Sequence, residues 1–291
     1  MGDGPKIPQL QINYSPVQRR IYGPHLTTAL AQIFNATHNP RYIDSFLIGL
    51  NYILSAQYAN GGWPQFYPPG KSYHRHITFN DGVMERLMRF VREVATLDDY
   101  SFIDEDIRND CQRAFDKGID CILKCQIKID NQLTVWCAQH DLNTYKPQSG
   151  RSYELASLSG AESVGITRLL MSIDSPSDDV KKAVVSAIHW FEKSRIPHIR
   201  IERVPDTSSP KGWNKVIRHD KDSTGLWARF YTLKDSLPLF ADRDGIPKAN
   251  LSDIGYERRN GYSWHGNWAE KLLSLEYPAW QKKWHPTTIS K

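Results

Sequence analysis

Cysteine is scarce in this chain, and long apolar runs are missing. Four cysteines in 291 residues are too few for a disulfide-stapled scaffold. Cys121 and Cys125 are spaced i,i+4, but no histidine or further cysteine follows at zinc-finger spacing, so they read as buried structural thiols. No apolar stretch approaches the roughly 18 residues of a membrane-spanning helix, and no membrane partner is expected. Also lacking are an HExxH helix, a phosphate-binding glycine loop and a GxGxxG turn, which removes zinc-protease, nucleotide-cradling and dinucleotide-binding readings. No serine sits in a G-x-S-x-G elbow, so a nucleophilic hydrolase has little support. Lysine and arginine never form a run, and no RNA-binding, helix-turn-helix or finger pattern occurs, so nucleic acid is not an expected partner. No Pro/Gly/Ser-rich linker divides the chain. A single domain over residues 1–291 is expected, with residues 1–22, polar and aperiodic, as an irregular N-terminal segment. No secretory signal is recognisable.

What the chain does have is a helical pattern repeated at a spacing of 69 residues. Phe46 to Gln57, Phe115 to Gln126 and a weaker Ala187 to Lys193 align, with Gly49, Gly118 and Ala187 in register. This period exceeds that of the common helix-pair repeats. It suits a helix pair plus a long loop, and such loops are where a site is built.

Amphipathic spacing predicts helices over 27–34, 40–57, 83–94, about 109–127 and 180–191, and a last one from near Gly266. Ser159 and Glu162 have capping-box spacing at another helix start. Leu133 to Cys137 and Ile199 to Glu202 read as short strands, the first as an edge strand, and 227–251 as irregular. Broad apolar stripes and long connections argue for an all-α (α/α) toroid of helical hairpins, with a few short β-strands in the loops on one face.

Nine Trp and fourteen Tyr suit either a sugar-binding cleft or a large helical core. The net charge of +5 suits solubility alone, and it would also help recruit a polyanion, whether nucleic acid, anionic polysaccharide or phosphorylated ligand. Asp81 and position 150, beside Arg151, are one period apart, so an acid and an arginine are expected at matching places on adjacent loops. Lys124, Arg229 and Arg243 add cations, interleaved with Trp63, Tyr67, Trp136, Trp227 and Tyr231. Asp81 with Asp141 or Glu154 would give the two carboxylates of a glycoside hydrolase.

Several ordered motifs resemble one family. Asn60-Gly61-Gly62-Trp63-Pro64-Gln65-Phe66-Tyr67-Pro68, His76 to Asp81, Val135 to Asp141 and Arg151 to Gly160 are similar to segments of pectate lyases of polysaccharide lyase family ten. So are Trp227 to Tyr231, Asp242 to Gly245, and Tyr256 to Tyr262 with Trp264. The resemblance spans about residues 25–270. It implies an (α/α) toroid that cleaves polygalacturonate by calcium-dependent β-elimination. It implies Arg151 as the base at C5, Asp81 at the calcium, and Lys124, Arg229 and Arg243 on substrate carboxylates. Asn80, Gln139, His140 and Trp63 are expected to support substrate binding, and Asp141 is a second candidate metal ligand. Calcium is hard and takes oxygen ligands, and arginine forks match carboxylates, which suits this chemistry. The family's Asp-Asn-x-Ala-Thr-Thr stretch matches Gly23 to Thr28, with glycine where a calcium-binding aspartate is expected. The alternative is therefore a catalytically weakened oligogalacturonide-binding protein. A monomer acting in an extracellular or periplasmic setting on polygalacturonate or its oligomers is expected.

Overall fold

The structure is a computed structural model, and it describes residues 19–20 and 25–284; Gly23 lies outside the described residues. Six helices form three hairpins. Helix α1 (His25–Thr37) packs on α2 (Arg41–Ser55), α3 (Val83–Thr96) on α4 (Glu105–Cys125), and α5 (Glu162–Met171) on α6 (Asp178–Ser194). Helix α3 also touches α5, and α4 touches α6. The hairpins thus stack in two layers, an (α/α) toroid. Short α7 (Tyr256–Gly261) and a final α8 (Tyr277–Trp284), entered through a π-turn over Leu272–Glu276, complete the helices.

The 69-residue period is a packing period. Gly49 and Gly118 sit where the second helix of a hairpin crosses the first. A Cβ on Gly49 would lie 2.7 Å from Thr27 Oγ1, and one on Gly118 would lie 2.7 Å from Met88 Cε. Ala187, at the third position, is fully buried. The apolar stripes meet in one large core that includes Phe46, Leu50, Leu87, Ile122, Leu169 and Phe191.

Tryptophans finish the repeat. The last carbonyls of a helix have no partner within it. Here the Trp63 indole N–H donates to Ile53 O at 2.9 Å, Trp136 to Ile122 O at 2.8 Å and Trp227 to Phe191 O at 2.8 Å. Those carbonyls belong to the last turns of α2, α4 and α6. All three rings are fully buried, so Trp63 is a core and capping residue rather than the supporting substrate-binding residue expected. Tyr231 is buried with them, and most of the aromatic surplus therefore belongs to the core.

Two-residue β-ladders tie the loops together. Ile77–Thr78 pairs with Gln139–His140, and Leu158–Ser159 with Phe230–Tyr231. The Leu133 to Cys137 edge strand does not form. Only Gln132–Leu133 is a strand, and Val135 to Cys137 run buried beneath the loops. The Ile199 prediction was too short: Ile199–Pro205 pairs over its full length with Trp213–His219. A second, smaller apolar cluster of Tyr153, Phe230, Phe240, Leu251, Ile254 and Trp264, with Leu155 and Tyr262 packed against it, underlies the loop face.

Candidate active site

Arginines converge on that second cluster. Tyr153 and Tyr262 meet edge to face, ring centres 5.4 Å apart. The Arg151 guanidinium carbon stands 4.9 Å from the Tyr153 ring centre and 5.8 Å from that of Tyr262. Arg229 lies 5.2 Å from Tyr262, while Arg258 and Arg243 lie 4.6 and 6.0 Å from Tyr153. Each contact is a cation over an electron-rich face. Two rings thus hold four like charges in one place, and repulsion among the cations is offset by three carboxylates.

Glu154 is the most confined of these acids. It is 3% exposed. Its Oε2 accepts from Arg151 Nε at 2.9 Å and from the Arg151 backbone N–H at 3.1 Å. Its Oε1 accepts from Arg151 Nη2 at 2.5 Å and from the Tyr262 hydroxyl at 2.8 Å. Burial pushes the carboxyl up, and the Arg151 and Tyr262 bonds outweigh burial, so its pKa ends below the ordinary value. The same bonds hold the Arg151 pKa above its ordinary value. Glu162, at the start of α5, accepts from Arg229 and from Ser159 Oγ. Burial lowers the Arg229 pKa and the Glu162 charge more than restores it. Exposed Glu257 pairs with both Arg243 and Arg258, and these bonds lower its pKa to about 2.

The capping-box reading of Ser159 is half met. Ser159 Oγ accepts from the Glu162 backbone N–H at 3.1 Å, but the Glu162 carboxylate turns to Arg229 rather than back to the chain. The expected match of Asp81 with Arg151 does not hold either. Thr78 N–H donates to Trp63 O as Ser159 N–H does to Trp136 O, and Phe79 N–H donates to Ala138 O as Gly160 N–H does to Arg229 O. These equivalences put Glu162, not Arg151, at the counterpart of Asp81. The loop after Trp136 is longer than the loop after Trp63, so the helical period fails there.

Among the other predicted residues, Asn80 and Asp81 sit together at the turn into α3, with Asn80 Nδ2 3.3 Å from the Asp81 carboxylate. Asp81 holds φ +54°, a left-handed conformation that its short polar side chain tolerates. Gln139 is buried beside Gly150, where a Cβ would lie 3.2 Å from its amide nitrogen and 2.8 Å from Glu154 Oε2. Lys124 is exposed at the end of α4. Its ammonium lies 5.8 Å from the Tyr145 ring centre, and the side chain lines a groove of about 740 Å³ between α4 and α6. None of its contacts reaches the arginines.

Two expectations are corrected. His140 is fully buried, with Nε2 accepting from the Cys137 N–H and Nδ1 2.8 Å from Tyr145 O. Burial lowers its pKa to about 4, so it is a neutral structural group that no substrate can touch. Asp141 does not join Asp81. The two flank opposite ends of the Ile77–Thr78/Gln139–His140 ladder, and Asp141 Oδ1 accepts from Asn143 N–H, Thr144 N–H and Thr144 Oγ1. It organises its own turn. With Asp141 and Glu154 both so engaged, the paired carboxylates of a glycoside hydrolase are not assembled.

For calcium, no group of three acidic, histidine or cysteine side chains converges among the described residues. The Asp81 carboxylate and Asn80 amide offer oxygen donors side by side, the type calcium prefers. They fit a cation shared with a substrate carboxylate, not one caged by protein. Tyr153, Tyr262, Glu162 and Arg258 were not foreseen as site residues, and Glu154 was offered only as one of a pair of hydrolase carboxylates. The stretches Arg151 to Glu154 and Tyr256 to Tyr262 contain Tyr153, Glu154, Arg258 and Tyr262, and only folding brings them together. All four cysteines are buried and free, as expected, and no helix among the described residues is long and apolar enough to cross a membrane.

A two-layered helical toroid whose loop face gathers arginines over tyrosines is the architecture of a polysaccharide lyase that acts on acidic polymers. The chain belongs to the pectic acid lyase family, whose profile matches residues 25–273. It is similar to the family 10 polysaccharide lyase from Cellvibrio cellulosa, with 33% identity and a TM-score of 0.78 over 87% of this chain and 77% of that one. A point mutant of a Cellvibrio cellulosa family 10 polysaccharide lyase in complex with trigalacturonic acid is similar to the same degree, at 33% identity and a TM-score of 0.76, covering 87% of this chain and 78% of the other. No curated protein matches the chain.

Proposed function

We propose that this enzyme is a pectate lyase that cleaves polygalacturonate by calcium-assisted β-elimination and releases unsaturated oligogalacturonides. The observation that carries the reading is the set of four guanidinium groups on Tyr153 and Tyr262. It includes a buried donor without a partner among the described residues, Arg229 Nε, and Gln139 Nε2 is another. An unpaired buried donor costs about 1–3 kcal/mol, so both are suited to receive substrate oxygens. A uronate offers a carboxylate on each sugar.

Arg229 and Arg243 bind these carboxylates through their forks, and Arg258 strengthens the same positive field. Arg151, half exposed at the edge of the cluster, meets the C5 hydrogen. Removing that proton builds charge on the adjacent carboxylate, and preorganised cations stabilise it at the moment it forms. Asp81 and Asn80 would hold calcium through their side-chain oxygens, and the ion would supply further positive charge to a substrate carboxylate.

The test is incubation with polygalacturonate under a calcium titration, with chelator as control, while following ultraviolet absorbance of unsaturated uronides. A calcium-dependent rise that Arg151→Ala abolishes without loss of fold is expected. A flat trace from folded wild type, combined with retained affinity for trigalacturonate, would turn the assignment into a binding protein. Saturated products carrying an added water would indicate hydrolysis.

A further inference from the structure

A cavity of about 570 Å³ borders the second apolar cluster, and none of the four clustered arginines lines it. Its volume falls in the range of small-molecule sites, roughly 300–1,000 Å³. The Trp213–His219 strand, residues 249–252, α7 and the His265–Gly266 strand contribute to its walls. Phe240 and Leu251 belong to the cluster as well, and Val216 adds a further apolar surface. The Phe240 and His265 rings lie 5.3 Å apart, inclined by 34°, so part of the wall is aromatic.

The charged groups in this hollow have one sign. Lys215 and Arg259 line it, and no aspartate or glutamate does among the described residues. The Lys215 ammonium donates one hydrogen to Tyr262 O at 3.0 Å and keeps two more. Arg259 is fixed in place: Nε donates to Asn214 Oδ1 at 3.1 Å, and Nη1 to Ser252 O and Ile254 O at 3.1 and 3.0 Å. Its Nη2 is unengaged, and neither cation meets a carboxylate, among the described residues. His265 Nδ1 is buried and also without a partner there. Burial, and then the Lys215 charge, lower the His265 pKa to about 4, so this ring is neutral and can share a hydrogen bond without adding a charge. Burial likewise lowers the Lys215 pKa, with Arg203 acting in the same direction. Cations drawn into apolar surroundings are ordinarily paired, and here the counter-charge is missing.

We propose that this cavity binds a small aromatic carboxylate, with its ring against Phe240 and Val216 and its carboxylate met by Lys215 and Arg259. A uronate fits less well, because Val216, Phe240 and Leu251 offer its hydroxyls no hydrogen bonds. The site is therefore distinct from the arginine cluster and does not depend on the lyase reading. Lys215 links the two places, since it holds the carbonyl of Tyr262, whose ring faces Arg151 and Arg229.

The test is calorimetric titration of the folded full chain with 1-naphthoate, with 1-naphthamide as its uncharged counterpart. One naphthoate per chain is expected, and the amide should bind at least about tenfold more weakly, the scale of a hydrogen bond to a charged group. Saturating trigalacturonate should leave naphthoate binding unchanged. Lys215→Met keeps the apolar stem, removes the charge and should weaken naphthoate about tenfold or more. Val216→Phe fills the cavity and should abolish binding. Ala249→Trp, at the exposed rim, should block the mouth and serves in its place if the Val216 variant does not fold. Circular dichroism checks folding in each case. An absence of binding at millimolar naphthoate overturns the proposal. So does displacement by trigalacturonate, which would put the naphthoate on the arginine cluster. Equal affinity for the amide overturns the carboxylate assignment, and undiminished binding to a folded Val216→Phe or Ala249→Trp chain overturns the cavity as the place.

Discussion

The His140 imidazole is fully buried, and desolvation lowers its pKa to about 4 from an unfolded value of 6.5. The unfolded chain therefore takes up the proton first as pH falls. This contribution to stability is complete above about pH 6.5 and is lost progressively between about 6.5 and 4, by roughly 3 kcal/mol at the acid end. His265, also lowered to about 4 by burial, acts in the same direction. The unfolding midpoint should drop from pH 7 to pH 5, and His140→Gln, which can make both hydrogen bonds, should flatten that drop; an identical pH dependence in the variant would remove His140 as its source. Asp81 and Asp141 separate at the same scale. Asp81→Asn should raise the calcium needed for half-maximal activity by about tenfold or more, the order associated with weakening a metal site, whereas Asp141→Asn should leave it unchanged. An equal shift in both variants, read from activity against free calcium, would restore Asp141 to the site. The sequence already offered Asp81, Arg151, Arg229 and Arg243 as candidates, because long motifs carry them. It could not separate Asp141 or His140 from them, since both sit in an equally good motif and only burial and hydrogen bonding reveal their structural work.

At the level of elements, the helices were the most legible part, because the i, i+3, i+4 stripes that predict them are the surfaces that pack. The predicted 83–94 and 180–191 segments lie inside α3 and α6, with ends extended by two or three residues. The loops were less legible, since their two-residue ladders are set by distant partners rather than by local alternation. Trp136 connects the two levels: its ring fills the core and its N–H closes the end of α4. Trp136→Phe keeps an aromatic ring but strands the Ile122 carbonyl and leaves a void. About 2–4 kcal/mol of stability should be lost, visible in denaturant unfolding. A loss below about 0.5 kcal/mol would mean that the carbonyl finds another donor and that the cap is dispensable. The equivalent change at Trp63 should behave alike, since its geometry is the same, and neither should alter KM in the fraction that remains folded.

Across the whole molecule, the excess of five positive charges and the arginine cluster act over different distances. Diffuse surface charge attracts a polyanion from afar and is screened within about 8–10 Å at physiological salt. The cluster acts at contact, where Arg229 and Arg258 are largely buried and salt penetrates less. These two terms give separate salt signatures. For polygalacturonate, raising ionic strength from about 50 to 500 mM should increase KM several-fold, because a long polymer samples the whole field. For trigalacturonate the increase should be smaller, since three sugars sit mainly within the cluster. The kcat for both should change little, because the charges that stabilise the transition state are close and preorganised. Measuring both substrates at fixed free calcium separates the terms. If the short and long substrates lose affinity in parallel, recruitment is entirely a property of the arginine site, and the net charge of the chain plays no part in it.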